Sequence, residues 1–327
     1  MVGKLLKLKD VIIVGQAIQD ESVLSSLGKK FEVHTVSPER LAQKLQLLPN
    51  AYMLWIHVDT VLHKGMLDLL SNIKYLISTT TGLTHISEEI QSKFGDRLIS
   101  LKGRAEFLNN ITSTAEHTWA LIFWSLNYLP KAISETRDGL WHRQDNFRDS
   151  QLSSQILGVI GFGRLGKMVS KIGASLGMKV LVFDISGFAK NEAFKLGYEV
   201  SENIQSLFEI CTIISIHVDQ NEFNKNLISN KVLSVIKQPL LLINTSRARL
   251  VDEDSIISEI ESRPFLRYFT DVVNSEELGL SLTESKLWNL ARNNDRVVIT
   301  PHIGGATLEA SQLCENTLLT DFLGRAD

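Results

Sequence analysis

The chain has 327 residues, 44% of them hydrophobic and 22% charged, with a formal net charge of −3. That length exceeds one ordinary domain, the apolar content can fill a core in each of two, and the small net charge excludes a surface built for polyanions, so no nucleic-acid partner is expected. The two cysteines, Cys211 and Cys314, lie far apart, which excludes a disulfide framework and a C-x-x-C zinc pair and fits a reducing compartment.

At the N-terminus, Lys4, Lys7, Lys9 and Asp10 interrupt the apolar residues, which is unlike a signal peptide. The longest apolar run, around Trp119–Leu129, is broken by Ser125 and Asn127 and is shorter than the roughly 20 residues a bilayer span needs. A cytoplasmic protein with no membrane partner and no metal is expected. Short apolar runs at Val11–Val14, Phe31–Val36, Ala51–Val58, Tyr75–Ser78 and Arg97–Leu101 read as strands separated by helix-length segments. A long helix is predicted over Thr112–Leu129, with Thr112, Ser113 and Thr114 as capping hydroxyls and Pro130 marking its end. The polar stretch Glu135–Gln155 reads as an exposed connection. Six further strands follow, at Ile156–Ile160, Lys179–Phe183, Ile213–His217, Leu240–Asn244, Phe269–Val273 and Arg296–Thr300. This alternation predicts an α/β protein of two tandem, doubly wound parallel-sheet domains.

Gly161, Gly163 and Gly166 form a G-x-G-x-x-G run between the strand Ile156–Ile160 and a helix containing Met168, Val169 and Ile172. In that setting Gly161 permits a tight turn, Gly163 lets backbone approach a pyrophosphate, and Gly166 lets helix and strand pack closely. The phosphates would then meet unpaired N–H groups at the positive end of the helix. The cofactor set therefore comprises Gly161, Phe162, Gly163, Arg164, Leu165 and Gly166, together with Asp184. Asp184 ends the next strand 18 residues past Gly166, where an acid binds ribose hydroxyls and repels a 2′-phosphate, so NAD is favoured over NADP. The nearby Gly173-Ala-Ser-Leu-Gly177 fits the G-x-S-x-G pattern, but a hydrolase elbow needs a strand before its serine, and Ser175 instead ends a helix that Gly177 terminates.

Three later segments carry groups suited to acid/base work on a carboxylic acid. Arg247 follows the buried strand Leu240–Asn244, and an arginine at a strand's carboxyl end can grip a carboxylate through two parallel hydrogen bonds. Asp271 and Glu276 follow a second strand, and His302 follows a third, immediately before Gly304-Gly305.

On Gly158–Gly166, His217–Asn230, Ile243–Glu253, Asp271–Glu276 and Thr300–Thr307, the chain resembles the D-isomer-specific 2-hydroxyacid dehydrogenases over essentially its full length. The resemblance implies a catalytic set of Arg247, Glu276 and His302. Arg247 would hold the substrate carboxylate, His302 would exchange the proton at the carbonyl oxygen, and Glu276 would favour the protonated imidazole. It extends the cofactor set to His217, Thr245 and Asp271, the last toward the nicotinamide carboxamide. It also implies that the backbone of Thr81 and Gly82, with Asn110 and Arg247, contacts the substrate. The implied architecture is a flavodoxin-like substrate domain, residues 1–107 plus 303–327, and a Rossmann NAD-binding domain, residues 108–302, with a cleft between them. The implied partners are a small 2-keto or 2-hydroxy acid and a second copy of the chain, as a homodimer.

Several positions depart from the family pattern: Ala248 stands for a glycine, Glu277 and Asp219 for prolines, and Thr84-His85 for Asp-Asn. Phosphoglycerate is an alternative substrate. It is disfavoured because Thr79–Gly82 lacks the arginines a phosphate would want and no regulatory domain is expected beyond residue 327, although Lys102 and Arg104 could supply charge. A formate dehydrogenase is disfavoured by a glutamate at 276. An NAD(H)-sensing interaction module, as in C-terminal-binding-protein corepressors, is a reading of another class, disfavoured because no basic targeting run is present.

Overall fold

In a computed structural model of the chain, residues 8–126, 129–141 and 150–326 are described. The chain divides into two compact units, one made of Met1–Asn110 with Ala306–Asp327, the other of Ile111–Gly305. Among the described residues, no helix is long and apolar enough to cross a membrane.

The first unit holds strands β1 (Lys9–Val14), β2 (Phe31–Val36), β3 (Met53–Ile56), β4 (Tyr75–Ser78) and β5 (Leu98–Ser100) in a parallel sheet of order β2-β1-β3-β4-β5. This is the flavodoxin-like winding, and β3 and β4 are buried along their whole length, as strands covered on both faces must be. The helix Leu308–Ala326 completes the unit from the far end of the chain. Its Phe322 is fully buried, with ring centroids 5.4 Å from Phe31 and 5.5 Å from Tyr75. Its Glu315 accepts the backbone N–H groups of Gln19 (3.0 Å) and Asp20 (2.8 Å), just before the helix Glu21–Gly28. Burial raises the pKa of that carboxyl against the hydrogen bonds that lower it.

The second unit holds β6 (Ile156–Ile160), β7 (Lys179–Phe183), β8 (Glu199–Val200), β9 (Ile213–Ile216), β10 (Leu240–Asn244), β11 (Leu266–Thr270) and β12 (Val297–Ile299), in the order β12-β11-β10-β9-β6-β7-β8. Counted within the unit this is the Rossmann winding with one added edge strand. Side-chain alternation feeds two cores: Leu240 and Leu242 join Phe208, Ile214 and Tyr268, whereas Leu241 and Ile243 join Trp119, Val159 and Phe269.

The structure departs from the sequence expectations at four places. Among the described residues of the second unit seven strands stand where six are expected, because two-residue β8 is too short to leave a periodic signal. Of the predicted helix Thr112–Leu129, the described residues form Ser113–Ser125, which ends at the extended Leu126, and Leu129 begins another helix, Leu129–Arg137; residues 127–128 lie outside the described residues. Pro130 is the second residue of the later helix, where its missing N–H has no intrahelical partner to lose. Thr112 donates its hydroxyl to Glu116 rather than capping the helix backbone. Strand β11 begins at Leu266 and ends before Asp271, its start masked in the sequence by Arg267, whose guanidinium reaches the Ser125 carbonyl at 2.9 Å. Part of the expected connection, 142–149, lies outside the described residues. Ser175 ends its helix and Gly177 follows with φ +80°, so the hydrolase elbow is absent.

Because Phe322 joins the last helix to the first sheet, Phe322→Ala should cost about 3–5 kcal/mol. Urea unfolding followed by tyrosine fluorescence should show an early transition of the first unit, and an unchanged curve would contradict this packing.

Candidate active site

One line of paired residues crosses six strands of the second unit. Phe183 pairs with Ile160, Ile160 with Ile216, Ile216 with Asn244, Asn244 with Thr270, and Thr270 with Ile299. The residues immediately after this line are Asp184, Gly161, His217, Thr245, Asp271 and Thr300. Strand pairing therefore sets five of the predicted cofactor residues along one edge of the sheet, with His302 two residues beyond it.

The glycine turn is shaped as its spacing requires. Gly161 has φ +91°, and a Cβ there would lie 2.8 Å from the His217 carbonyl oxygen. At Gly166 a Cβ would lie 2.0 Å from the Gly161 carbonyl oxygen, so helix and strand meet backbone to backbone. Gly163 has nothing within 4 Å of its Cβ position and caps the helix Arg164–Ser175 without a side-chain bond, leaving first-turn N–H groups for a ligand. Asp184 accepts the Phe162 N–H at 2.7 Å and the Ser186 N–H at 2.8 Å, which fixes its carboxylate beside the turn. The turn, the uncapped helix and the pinned acid fit a dinucleotide. The side chains between the glycines serve the fold: Phe162 is buried, Leu165 packs on the core, and Arg164 donates to the Ile111 carbonyl at 2.6 Å.

His217 bonds Ser215 Oγ through Nε2 at 2.8 Å, and its Nδ1 is buried without a partner among the described residues. Burial pushes its pKa down to about 3, so the ring is neutral. The buried Thr245 bonds Thr118 Oγ1 at 2.8 Å, which commits its hydroxyl to the helix Ser113–Ser125.

Asn244 builds the turn that presents Arg247. Its side chain donates to the Arg247 carbonyl at 2.9 Å and accepts the Ser246 N–H at 3.0 Å. The half-buried Arg247 donates to the Ser246 carbonyl at 2.7 Å and has no carboxylate partner among the described residues.

Beyond β12, His302 is in the left-handed region at φ +54°, a costly conformation for a residue with a Cβ. Asp271 holds it there, accepting the Ile303 N–H (3.0 Å), the Gly304 N–H (2.7 Å) and the Thr300 hydroxyl (2.5 Å). Burial alone would raise the Asp271 pKa, but hydrogen bonds from His117, Thr300, Gly304 and Ile303 outweigh it and hold the carboxyl below its usual range. His302 Nδ1 lies 2.6 Å from Glu276 Oε1. A carboxylate can only accept, so Nδ1 carries the proton and Nε2, with no protein partner among the described residues, is left for acid/base work.

His117, 3.0 Å from Thr300 Oγ1 and 3.4 Å from Asp271 Oδ1, went unread in the sequence, where a lone histidine on a helix carries no signal.

In the first unit, the loop after β4 is tied from both sides. Trp55 Nε1 donates to Thr79 (2.8 Å), which donates to the Ala17 carbonyl (3.0 Å), while Thr80 donates to the Gly82 carbonyl (2.7 Å). The buried His85 bonds Ser78 at 3.0 Å, a structural use of one position that departs from the family pattern. Among the described residues, no acceptor faces the N–H groups of Thr81 or Gly82. Asn110 is exposed, and Arg104 is committed to Asp321 and the Ser100 carbonyl.

The second unit is thus a dinucleotide-binding Rossmann unit with an imidazole–carboxylate pair at its strand ends. Residues 119–304 match the D-isomer specific 2-hydroxyacid dehydrogenase, NAD binding domain, and the chain belongs to that family. It is 27% identical over 289 residues to a D-3-phosphoglycerate dehydrogenase of Mycobacterium bovis, covering 88% of this chain and 52% of the relative. It is 26% identical over 294 residues to a hydroxypyruvate reductase of Thermotoga maritima, covering 90% and 91%. The chain spans about half the length of the phosphoglycerate dehydrogenases it matches. In fold it is similar to a D-lactate dehydrogenase from Aquifex aeolicus complexed with NAD and lactic acid, with a TM-score of 0.82, 22% identity, and coverage of 97% and 95%.

The neutral His217 gives a pH prediction. Its folded pKa of about 3 lies below the usual 6.5, so between those values the unfolded chain takes up a proton the folded chain refuses. Stability should fall from this source as pH drops below 6.5 and be unaffected above it. His217→Asn should flatten that acid limb in urea titrations at pH 7.5 and 5.

Proposed function

We propose that the protein is an NAD-dependent dehydrogenase of small 2-hydroxy acids, interconverting them with 2-keto acids. The observation that carries this reading is the His302–Glu276 pair at 2.6 Å, presented at the strand ends that also carry the glycine turn and Arg247. The bound dinucleotide supplies or accepts the hydride at the substrate's C2. Arg247, which no carboxylate among the described residues satisfies, grips the substrate carboxylate. His302 holds the proton at Nε2 and delivers it to the carbonyl oxygen in reduction, or takes it from the hydroxyl in oxidation. Glu276 stabilises the charged imidazole, and Asp271 fixes the backbone that aims it.

The first unit carries a carboxylate-binding feature of its own in the unclaimed N–H groups of Thr81 and Gly82, and we assign it the substrate role. Arg104 is held by Asp321, which favours a glyoxylate- or hydroxypyruvate-like acid over one bearing a phosphate. Asp184 favours NAD over its 2′-phosphorylated form. The exposed Phe123, Trp124 and Trp141 support a homodimer, and the buried free thiol of Cys211 supports a cytoplasmic setting.

The test is NADH oxidation with a panel of 2-keto acids. At least one acid should turn over. His302→Ala should lower kcat by on the order of 10²–10⁴ while NADH still binds, and tight NADH binding with no turnover on any acid would refute the reading. Arg247→Lys loses the two-point grip and should raise KM by on the order of tenfold; an unchanged KM would remove Arg247 from the carboxylate.

A further inference from the structure

The turns carrying Arg247 and Glu276 are each a single helical turn. Ala248–Leu250 is a three-residue 3₁₀ turn, and Asn274–Glu277 is a four-residue helix with no side-chain cap. Segments this short do not hold their own shape, because one turn fixes several dihedral angles for one hydrogen bond. What holds them is external. Glu253 accepts the Asn274 N–H at 3.4 Å and so steadies the beginning of the helical turn. Its last residue, Glu277, reaches back to the other turn: Oε1 accepts the Ala248 N–H at 3.1 Å, and Oε2 lies 3.2 Å from Arg249 Nε.

Glu277 is adjacent in sequence to Glu276, and Ala248 to Arg247, so one side chain bridges the two turns at the residues next to the acting ones. An exposed ion pair in this position would contribute little. This one is different in two respects. The Glu277 side chain is only 13% exposed, and its Oε1 partner is the backbone of the buried Ala248, so the link fixes the course of the chain beside Arg247.

We infer that Glu277 is a positioning residue that sets the spacing between the Arg247 guanidinium and the Glu276–His302 pair through its bond to the Ala248 N–H. This rests on the dehydrogenase reading for its catalytic consequence, though the spacing itself does not. Misplacing a group by about 1 Å costs on the order of a hundredfold in rate. Removing the link should therefore damage use of the keto acid and largely spare dinucleotide binding, whose glycine turn and Asp184 follow β6 and β7, away from the two bridged turns.

The experiment compares Glu277→Ala with Glu277→Gln, whose amide oxygen still accepts the Ala248 N–H but carries no charge for Arg249. Glu277→Ala should raise KM for the keto acid on the order of tenfold and lower kcat/KM on the order of 10–100-fold. NADH affinity, from quenching of tryptophan fluorescence, should stay within about twofold. Glu277→Gln should recover most of the loss. The NMR signals of the His302 ring and the Arg247 Nε–H should shift in Glu277→Ala and return in Glu277→Gln.

Wild-type kcat/KM in Glu277→Ala would overturn the proposal, as would an equal loss of NADH binding or a failure of Glu277→Gln to rescue. If the wild-type protein turns over no acid, the dehydrogenase reading fails by itself. The NMR comparison then decides the spacing claim: shifted signals that Glu277→Gln restores uphold it, and unmoved signals overturn it.

Discussion

The backbone register of one parallel sheet governs everything at the strand ends. Hydrogen bonding locks Phe183, Ile160, Ile216, Asn244, Thr270 and Ile299 into one transverse line, although 139 residues (299 − 160) separate the second and the last in the chain. Up to that line the ladder satisfies the N–H and C=O groups of the inner strands, so those strands can be almost wholly apolar. Past it the ladder stops, the backbone groups still need partners, and side chains must provide them. Asp184 serves the glycine turn, Asn244 the arginine turn, and Asp271 the histidine turn. The polar groups that cluster there are first of all the carpentry of the sheet edge.

This double duty explains the electrostatics. A carboxylate accepting several N–H and O–H donors stays ionised despite burial, as Asp271 does. A backbone kept at φ +54° costs about 1–3 kcal/mol and persists only where its surroundings over-determine it. Around His302 that surrounding is two N–H bonds to Asp271 and one ring bond to Glu276. The imidazole is thus aimed from its backbone and from one ring nitrogen, and the remaining nitrogen has no partner among the described residues.

Much of this was legible in the sequence, because parallel strands buried on both faces leave uninterrupted apolar runs, and glycines leave no ambiguity about where a chain must turn. The runs at Phe31, Tyr75, Ile156, Lys179 and Leu240 coincide with the observed strands, and Gly161 and Gly166 stand where backbone approaches backbone. What escaped was set by tertiary partners. Arg267 hides the start of β11 because its charge is spent on a distant carbonyl, and β8 is a product of its neighbour. His117 acquires a role only when the helix Ser113–Ser125 is laid against Thr300. Glu277 read as a departure from a pattern, and its bond to Ala248 depends on two turns 29 positions apart in sequence. Asp184 and Thr245 were read as ligand contacts alone, whereas their side chains are already bonded within the fold.

The dependence of the first sheet on Phe322 bears on the order in which the molecule takes shape. Phe31 and Phe322 are nearly 300 positions apart, so the β2 side of that sheet lacks its cover until all of the chain between them, and the last helix with it, has left the ribosome. The intervening Ile111–Gly305 is continuous and closes its own core, so it can condense while synthesis is still under way. The N-terminal segment would wait longest with apolar surface uncovered, which makes it the part of the nascent chain with most need of a chaperone.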